Sequence, residues 1–282
     1  MKKLSLLLCT VLASFTMQAQ LTTPQPSPTA KVEQKVGLTD VTLEYSRPSM
    51  RDRTIFGELV PYDKLWRTGA NKNTMITFGD DVVVDGQTLK AGSYAIFTKP
   101  GATAWEVIFY ADTENWGTPR EWDDSKVAAK TTVEVYNMPM AIETYTMTFD
   151  DLSNNSATLG MLWEKSYVGV KFDVPTVEKA VKSIESVMNG PSGNDYYAAA
   201  SYYYEEGKDL AKAKEWIDKA VAADKEGRAF WVMRRQSLIY AKMGDTKGAI
   251  EAAKKSLASA TAADNKDYVK LNQDSLKEWG AL

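Results

Sequence analysis

The spacing of apolar side chains changes period at Pro175, and this change constrains the fold more than any other feature of the 282-residue chain. Upstream, Val41, Leu43 and Tyr45 alternate with Thr42 and Glu44, the period of two that marks a half-buried strand. Similar runs follow at 74–78, 82–84, 93–98, 105–110, 131–136, 144–149, 157–163 and 167–174, which predicts about ten strands. Asp85-Gly86, Ala91-Gly92 and Lys99-Pro100-Gly101 supply turn chemistry between them. Many short strands without long intervening helices imply an antiparallel β-sandwich or barrel-like domain over residues 31–174.

Downstream the period is helical. Val177, Ala180, Val181, Ile184, Val187 and Met188 fall at i, i+3, i+4 and i+7 spacing, and Asn189-Gly190-Pro191 ends that run. Further helices are predicted around 210–221, 230–243, 249–257 and 264–279. Tyr203, Gly207, Ala213, Ala220 and Val221 correspond to Tyr240, Gly244, Ala249, Ser256 and Leu257. This partial repeat resembles the tetratricopeptide (TPR) repeat, whose period is about 34 residues. An unrelated helical bundle is the alternative. The chain is therefore read as α+β and multidomain, with a TPR-like helical array over residues 176–282.

At the amino end, Lys2 and Lys3 precede an apolar run from Leu4 to Phe15, and Met17-Gln18-Ala19 offers a cleavage site. This reads as a signal peptide over residues 1–20, followed by a Pro-rich linker over 21–30. The implied location is periplasmic or extracellular. The apolar run is too short to span a bilayer, and none of that length follows, so no transmembrane segment is expected in the mature chain.

Cys9 is the only cysteine and would leave with the leader, and the sequence contains no histidine. Imidazole acid–base chemistry, Ser-His-Asp triads, thiol nucleophiles and the usual zinc, copper and haem ligand sets are thereby excluded. No cofactor or metal is implied, and only oxygen-binding cations such as calcium remain compatible. Residues 21–175 carry 15 basic against 21 acidic side chains. Without a basic excess, a nucleic-acid partner is not expected.

Residues 47–71 break the strand pattern with turn residues and short helical possibilities, and long ordered excursions often carry function. The stretch holds Tyr45-Ser46-Arg47-Pro48-Ser49, Arg53, Ile55-Phe56-Gly57, Leu59-Val60-Pro61-Tyr62 and Trp66-Arg67-Thr68-Gly69-Ala70-Asn71. Together with Leu89-Lys90-Ala91-Gly92-Ser93-Tyr94 and Trp105-Glu106-Val107-Ile108-Phe109, it resembles domain-of-unknown-function family 2911 of exported bacterial proteins, over roughly residues 28–173. The resemblance implies an envelope or secreted location and often a helical repeat tail, but no activity, substrate or catalytic residue.

Four of the eight arginines lie between positions 47 and 67, within an acidic domain. Guanidinium groups pair bidentately with carboxylate or phosphate, and tryptophan stacks on rings. Arg47, Arg53, Trp66, Arg67 and Asn71 are therefore the candidate ligand-binding residues, for an anionic or sugar-like ligand. Equally, these arginines could pair with Glu44, Glu58 or Asp63 to hold the excursion in place.

Two functions follow as expectations. The first is a binding or scaffolding protein of the cell envelope, with a protein partner on the helical tail. The second is a carboxylate-dependent hydrolase acting on glycans through Glu44, Glu58 or Glu106. The missing catalytic constellations favour the first. Weaker candidates are Asp150, Asp151, Asn154 and Asn155 for calcium, Trp116 with Glu121, Trp122, Asp123 and Asp124 for a sugar groove, and the tyrosines between 196 and 204 for a partner surface.

Overall fold

The structure, a computed structural model, describes residues 23–188 and 190–282. The expected leader and the first two linker residues lie outside the described residues. The chain divides into two compact units, one ending at Thr176 and the other spanning Val177–Leu282.

Among its described residues the first unit holds ten strands: β1 (Thr29–Val36), β2 (Thr39–Ser46), β3 (Thr74–Phe78), β4 (Val82–Val84), β5 (Gln87–Leu89), β6 (Gly92–Pro100), β7 (Ala104–Tyr110), β8 (Val127–Glu134), β9 (Tyr136–Asp150) and β10 (Ser156–Asp173). They form two antiparallel sheets, one ordered β1-β2-β3-β6-β7-β8 and one ordered β5-β4-β10-β9. Each keeps two edge strands, so neither closes on itself. Period-two alternation turns Val41, Leu43, Ile76, Phe78, Val107 and Phe109 of the first sheet inward. They join Val82, Met147, Leu159, Met161 and Val170 of the second in one continuous core. Burying each such side chain contributes about 1.5–3 kcal/mol. Tyr45 crosses between the sheets: its hydroxyl donates to Met147 O and accepts from Met147 N.

Two strands depart from simple alternation. In β6, Tyr94 to Thr98 are all buried, because Phe97 lies in a small outer core with Ile108, Tyr110, Leu65 and Trp122. In β10, the two runs predicted at 157–163 and 167–174 form a single strand. No glycine or proline separates them, and register shifts on either side of Glu164 absorb the irregularity as a bulge.

Tyr167 lies across Gly160 and Gly169 of the same strand. A Cβ on either glycine would come within 3.0 Å of the tyrosine's atoms. Its hydroxyl donates to Asp150 Oδ2 at 3.1 Å. Burial, reinforced by the Asp150 charge, pushes the phenol up to about 12. An unfolded tyrosine ionises near 10. The unfolded chain therefore releases this proton first, and stability present below about pH 10 is lost as pH rises towards about 12. We expect Tyr167→Phe to remove a late-titrating phenol from the ultraviolet titration and to flatten the alkaline loss of stability. An unchanged titration curve in the variant would contradict this.

The second unit holds six helices: α1 (Thr176–Val187), α2 (Gly193–Glu205), α3 (Leu210–Ala223), α4 (Phe230–Lys242), α5 (Thr246–Ala262) and α6 (Lys266–Glu278). Their starts follow the sequence. Ser192 and Asp195 form a capping box, and Asp209, Asp245 and Asn265 each accept a backbone N–H three residues on. Gly207 and Gly244 take left-handed backbone just after α2 and α4. Ala199, Ala200, Tyr203, Ala213, Trp216, Ile217 and Ile239 form the core of this unit. No helix among the described residues is long and apolar enough to cross a membrane.

Asp218 ties α3 to α4. It accepts from Lys214 Nζ at 2.8 Å, Gln236 Nε2 at 2.8 Å and Tyr240 Oη at 2.6 Å. Burial alone would raise its carboxyl, but these donors outweigh burial and hold it below the usual range. The stability it contributes is present above the unfolded aspartate value near 3.9 and is lost as pH falls through the lower folded value. We expect Asp218→Ala to destabilise the helical unit by about 1–3 kcal/mol, because three donors lose their acceptor. Far-ultraviolet thermal melts at neutral pH test this, and an unchanged transition would refute it.

Candidate functional site

Between β2 and β3, residues 47–73 form turns and isolated backbone bridges, and the expected short helical pieces are absent. Backbone pairing replaces them. Met50 N donates to Glu143 O and Tyr145 N to Pro48 O, each at 2.8 Å, which fastens the start of the excursion to β9. Further on, Trp66 and Thr98 exchange both of their backbone bonds, and Asp63 N donates to Pro100 O. The excursion thus runs from an edge strand of one sheet to the end of β6 in the other. That end of β6 is free because β3 pairs no further along it than Ile96.

The excursion rests on aromatic rings. Trp66 stacks on Trp163, with centroids 5.9 Å apart and planes 17° apart, and meets Trp105 and Tyr145 edge-on. Its indole N–H donates to Gly69 O at 3.2 Å. Phe56 closes the cluster against Trp105 and Trp163. Tyr145 is wholly buried, and burial raises its phenol well above the ordinary value.

Strain concentrates in the same stretch. Arg51, Asp52, Asp63, Thr68 and Asn71 are five of the nine non-glycine residues with positive φ among the described residues. Thr68 is the most telling, because a β-branched side chain disfavours that conformation. Thr74 Oγ1 donates to Thr68 O at 2.6 Å, and Thr68 Oγ1 donates to Thr98 Oγ1 at 3.2 Å. Such over-determined strain, about 1–3 kcal/mol per residue, clusters at ligand clamps and active sites.

Above the rings lies a cavity of about 370 Å³, lined among others by Ser49, Arg51, Arg53, Trp66, Arg67 and Trp163 and by no aspartate or glutamate. Three of the five candidate residues, Arg53, Trp66 and Arg67, therefore share one cavity. Arg47 and Asn71 do not line it. Arg47 donates from Nε to Tyr145 O and from Nη2 to Thr146 Oγ1, a clamp between β2 and β9. Asn71 donates to Ser27 O and Ser46 Oγ, which anchors the amino-terminal segment.

Arg51 takes their place, although the sequence reading did not select it. Its Nη2 donates to Pro26 O, and its backbone N donates to Glu143 Oε1. Arg53 donates to Met50 O and Ser49 O. The solvent-shielded Nε of Arg67 has no hydrogen-bond partner among the described residues. The expected pairing with Glu44, Glu58 or Asp63 does not occur. Among the described residues the arginine ion pairs are Arg228–Glu226 and Arg235–Glu205, both in the helical unit. The loop after β7 passes close to Arg67 without lining the cavity. A Cβ on Gly117 would sit 3.7 Å from Arg67 Nη1, and the neighbouring Trp116 is 77% exposed.

The carboxylates considered for hydrolysis are dispersed. Glu44 lines a separate depression with Lys72. Glu106 pairs with Lys99 at 2.7 Å and lines another. Glu58 is exposed on the excursion. The calcium candidates Asp150 and Asp151 accept from Thr148, Tyr167 and Thr158. No group of three or more metal-ligating acidic side chains occurs among the described residues. Trp122 stacks on Tyr110, with centroids 4.4 Å apart, and with Asp124 lines a depression that Trp116 does not share.

Fold and site together define a two-sheet β domain in which a strained excursion carries an arginine-lined cavity. Residues 27–172, just over half of the chain, match the family described as protein of unknown function DUF2911, and the chain belongs to that family. Neither the curated proteins nor the solved structures yielded a match.

Proposed function

We propose that this chain is an exported binding protein of the cell envelope, whose β domain holds an anionic or sugar-like ligand in the arginine-lined cavity. The observation that carries this reading is the convergence of Arg51, Arg53 and Arg67 on one cavity without a lining carboxylate. Guanidinium groups that keep N–H groups in reserve and are left free of acids suit a carboxylate or phosphate. The lysine-led apolar run of residues 2–15 supports export.

The helical unit is read as TPR-like, with a protein partner. Ala213 and Ala249 are wholly buried, and Gly207 and Gly244 close equivalent helices in left-handed backbone. Binding rather than catalysis is favoured because Glu44, Glu58 and Glu106 do not share a cavity. Calorimetric titration of the purified chain with glucuronate and other anionic small molecules tests the ligand reading. Saturable binding that Arg53→Ala abolishes in a folded chain supports it, and no binding across the panel rejects it. For the tail, a pull-down from envelope extract that returns nothing above background counts against a partner.

A further inference from the structure

We infer that the ligand of this cavity is a compact organic molecule bearing at least two negative charges, such as a phosphomonoester or a dicarboxylate. This rests on the reading of the cavity as a ligand site. Three guanidinium groups line the cavity, no acid lines it, and none of the three is ion-paired among the described residues. Arginine stays protonated at any physiological pH. A monoanion would leave two of these charges uncompensated as the ligand displaced water from around them, which is unfavourable. A dianion balances most of the charge.

Donor geometry points the same way. Arg53 uses Nε and Nη2 on the carbonyls of Met50 and Ser49, so its Nη1 remains available. Arg51 engages Pro26 O through Nη2 only. Arg67 makes no hydrogen bond through its shielded Nε. The spare N–H groups thus come from three separate side chains and outnumber the roughly four lone-pair sites of a single carboxylate. A phosphate group presents three oxygens, and a dicarboxylate presents four.

Size and walls define the remainder of the molecule. A cavity of about 370 Å³ lies at the small end of ligand sites, which span roughly 300–1,000 Å³. It suits a single small molecule better than an extended polymer. Leu59, Val60, Trp66 and Trp163 supply apolar wall for the carbon skeleton.

The test is calorimetric titration of the full chain with glucose 6-phosphate, glutarate, glucuronate and glucose, at low and at raised salt. The expected result is binding of glucose 6-phosphate or glutarate at least tenfold tighter than glucuronate, and no binding of glucose. That affinity should weaken with salt and fall at least tenfold in Arg67→Ala. If Arg67→Ala fails to fold, Arg53→Ala, altered at an exposed side chain, gives the same readout. The preferred dianion identifies phosphate or dicarboxylate as the recognised group. Glucuronate binding as tightly as the dianions would overturn the charge inference while leaving the anion-site reading intact. Absence of binding by all three anions would overturn both. Dianion affinity left unchanged by both arginine substitutions would place the site elsewhere and also overturn the inference.

Discussion

Replacing Trp163 with alanine should lower the stability of the β unit by about 3–5 kcal/mol, the range for truncating a buried aromatic. Trp163 is 2% exposed. It stacks on Trp66 and meets Phe56 and Tyr145 edge-on, with centroids 6.3 and 5.7 Å away. Its indole N–H donates to Glu143 O at 3.2 Å. Truncation opens a void beneath the excursion and removes the ring on which Trp66 is stacked. Domains of this kind are stable by roughly 5–15 kcal/mol, so the loss is a large fraction of the total. Trp116→Ala is the matched control, because its ring is 77% exposed, and a surface change of this kind should stay within about 0.5 kcal/mol. Urea unfolding followed by near-ultraviolet circular dichroism measures both. A Trp163→Ala midpoint indistinguishable from that of Trp116→Ala would show that the aromatic cluster does not support the site.

The β unit was legible in the sequence where side chains alternate and turns are marked. Val41, Leu43 and Tyr45 read as an inward face because period two and burial coincide there. It was less legible where tertiary context decides. Nothing local in Glu164-Lys165-Ser166 distinguishes a bulge from a turn, and the pairing with β9 selects the bulge. The excursion shows the same division. Clustered arginines and aromatics marked it as exceptional, but their roles depend on partners far away in sequence. Arg47 is consumed by Tyr145 and Thr146, nearly a hundred residues away, and Asn71 by Ser27. Arg51 sits at φ 50, a conformation its side-chain chemistry does not announce. A sequence that shows how many guanidinium groups are present does not show which have found a carbonyl.

Arg67→Ala should separate binding from folding. Among the described residues its guanidinium takes part in no ion pair and its shielded Nε has no partner. Removing it therefore costs the folded state little, and we expect a stability change below about 1 kcal/mol. A charge-assisted hydrogen bond to an anion contributes about 1.5–3 kcal/mol, so affinity for a dianionic probe should fall roughly 10- to 150-fold. Arg47→Ala should behave in the opposite way. It forfeits the bonds to Tyr145 O and Thr146 Oγ1 that hold β2 to β9, and should destabilise by about 1–3 kcal/mol. Because it lies outside the cavity lining, it should leave the affinity of the surviving folded protein close to that of the parent. Thermal unfolding and calorimetry on the same two preparations decide the matter. If Arg67→Ala unfolds while Arg47→Ala does not, the guanidinium beside Gly117 is a structural support, and the case for a ligand cavity loses its central residue.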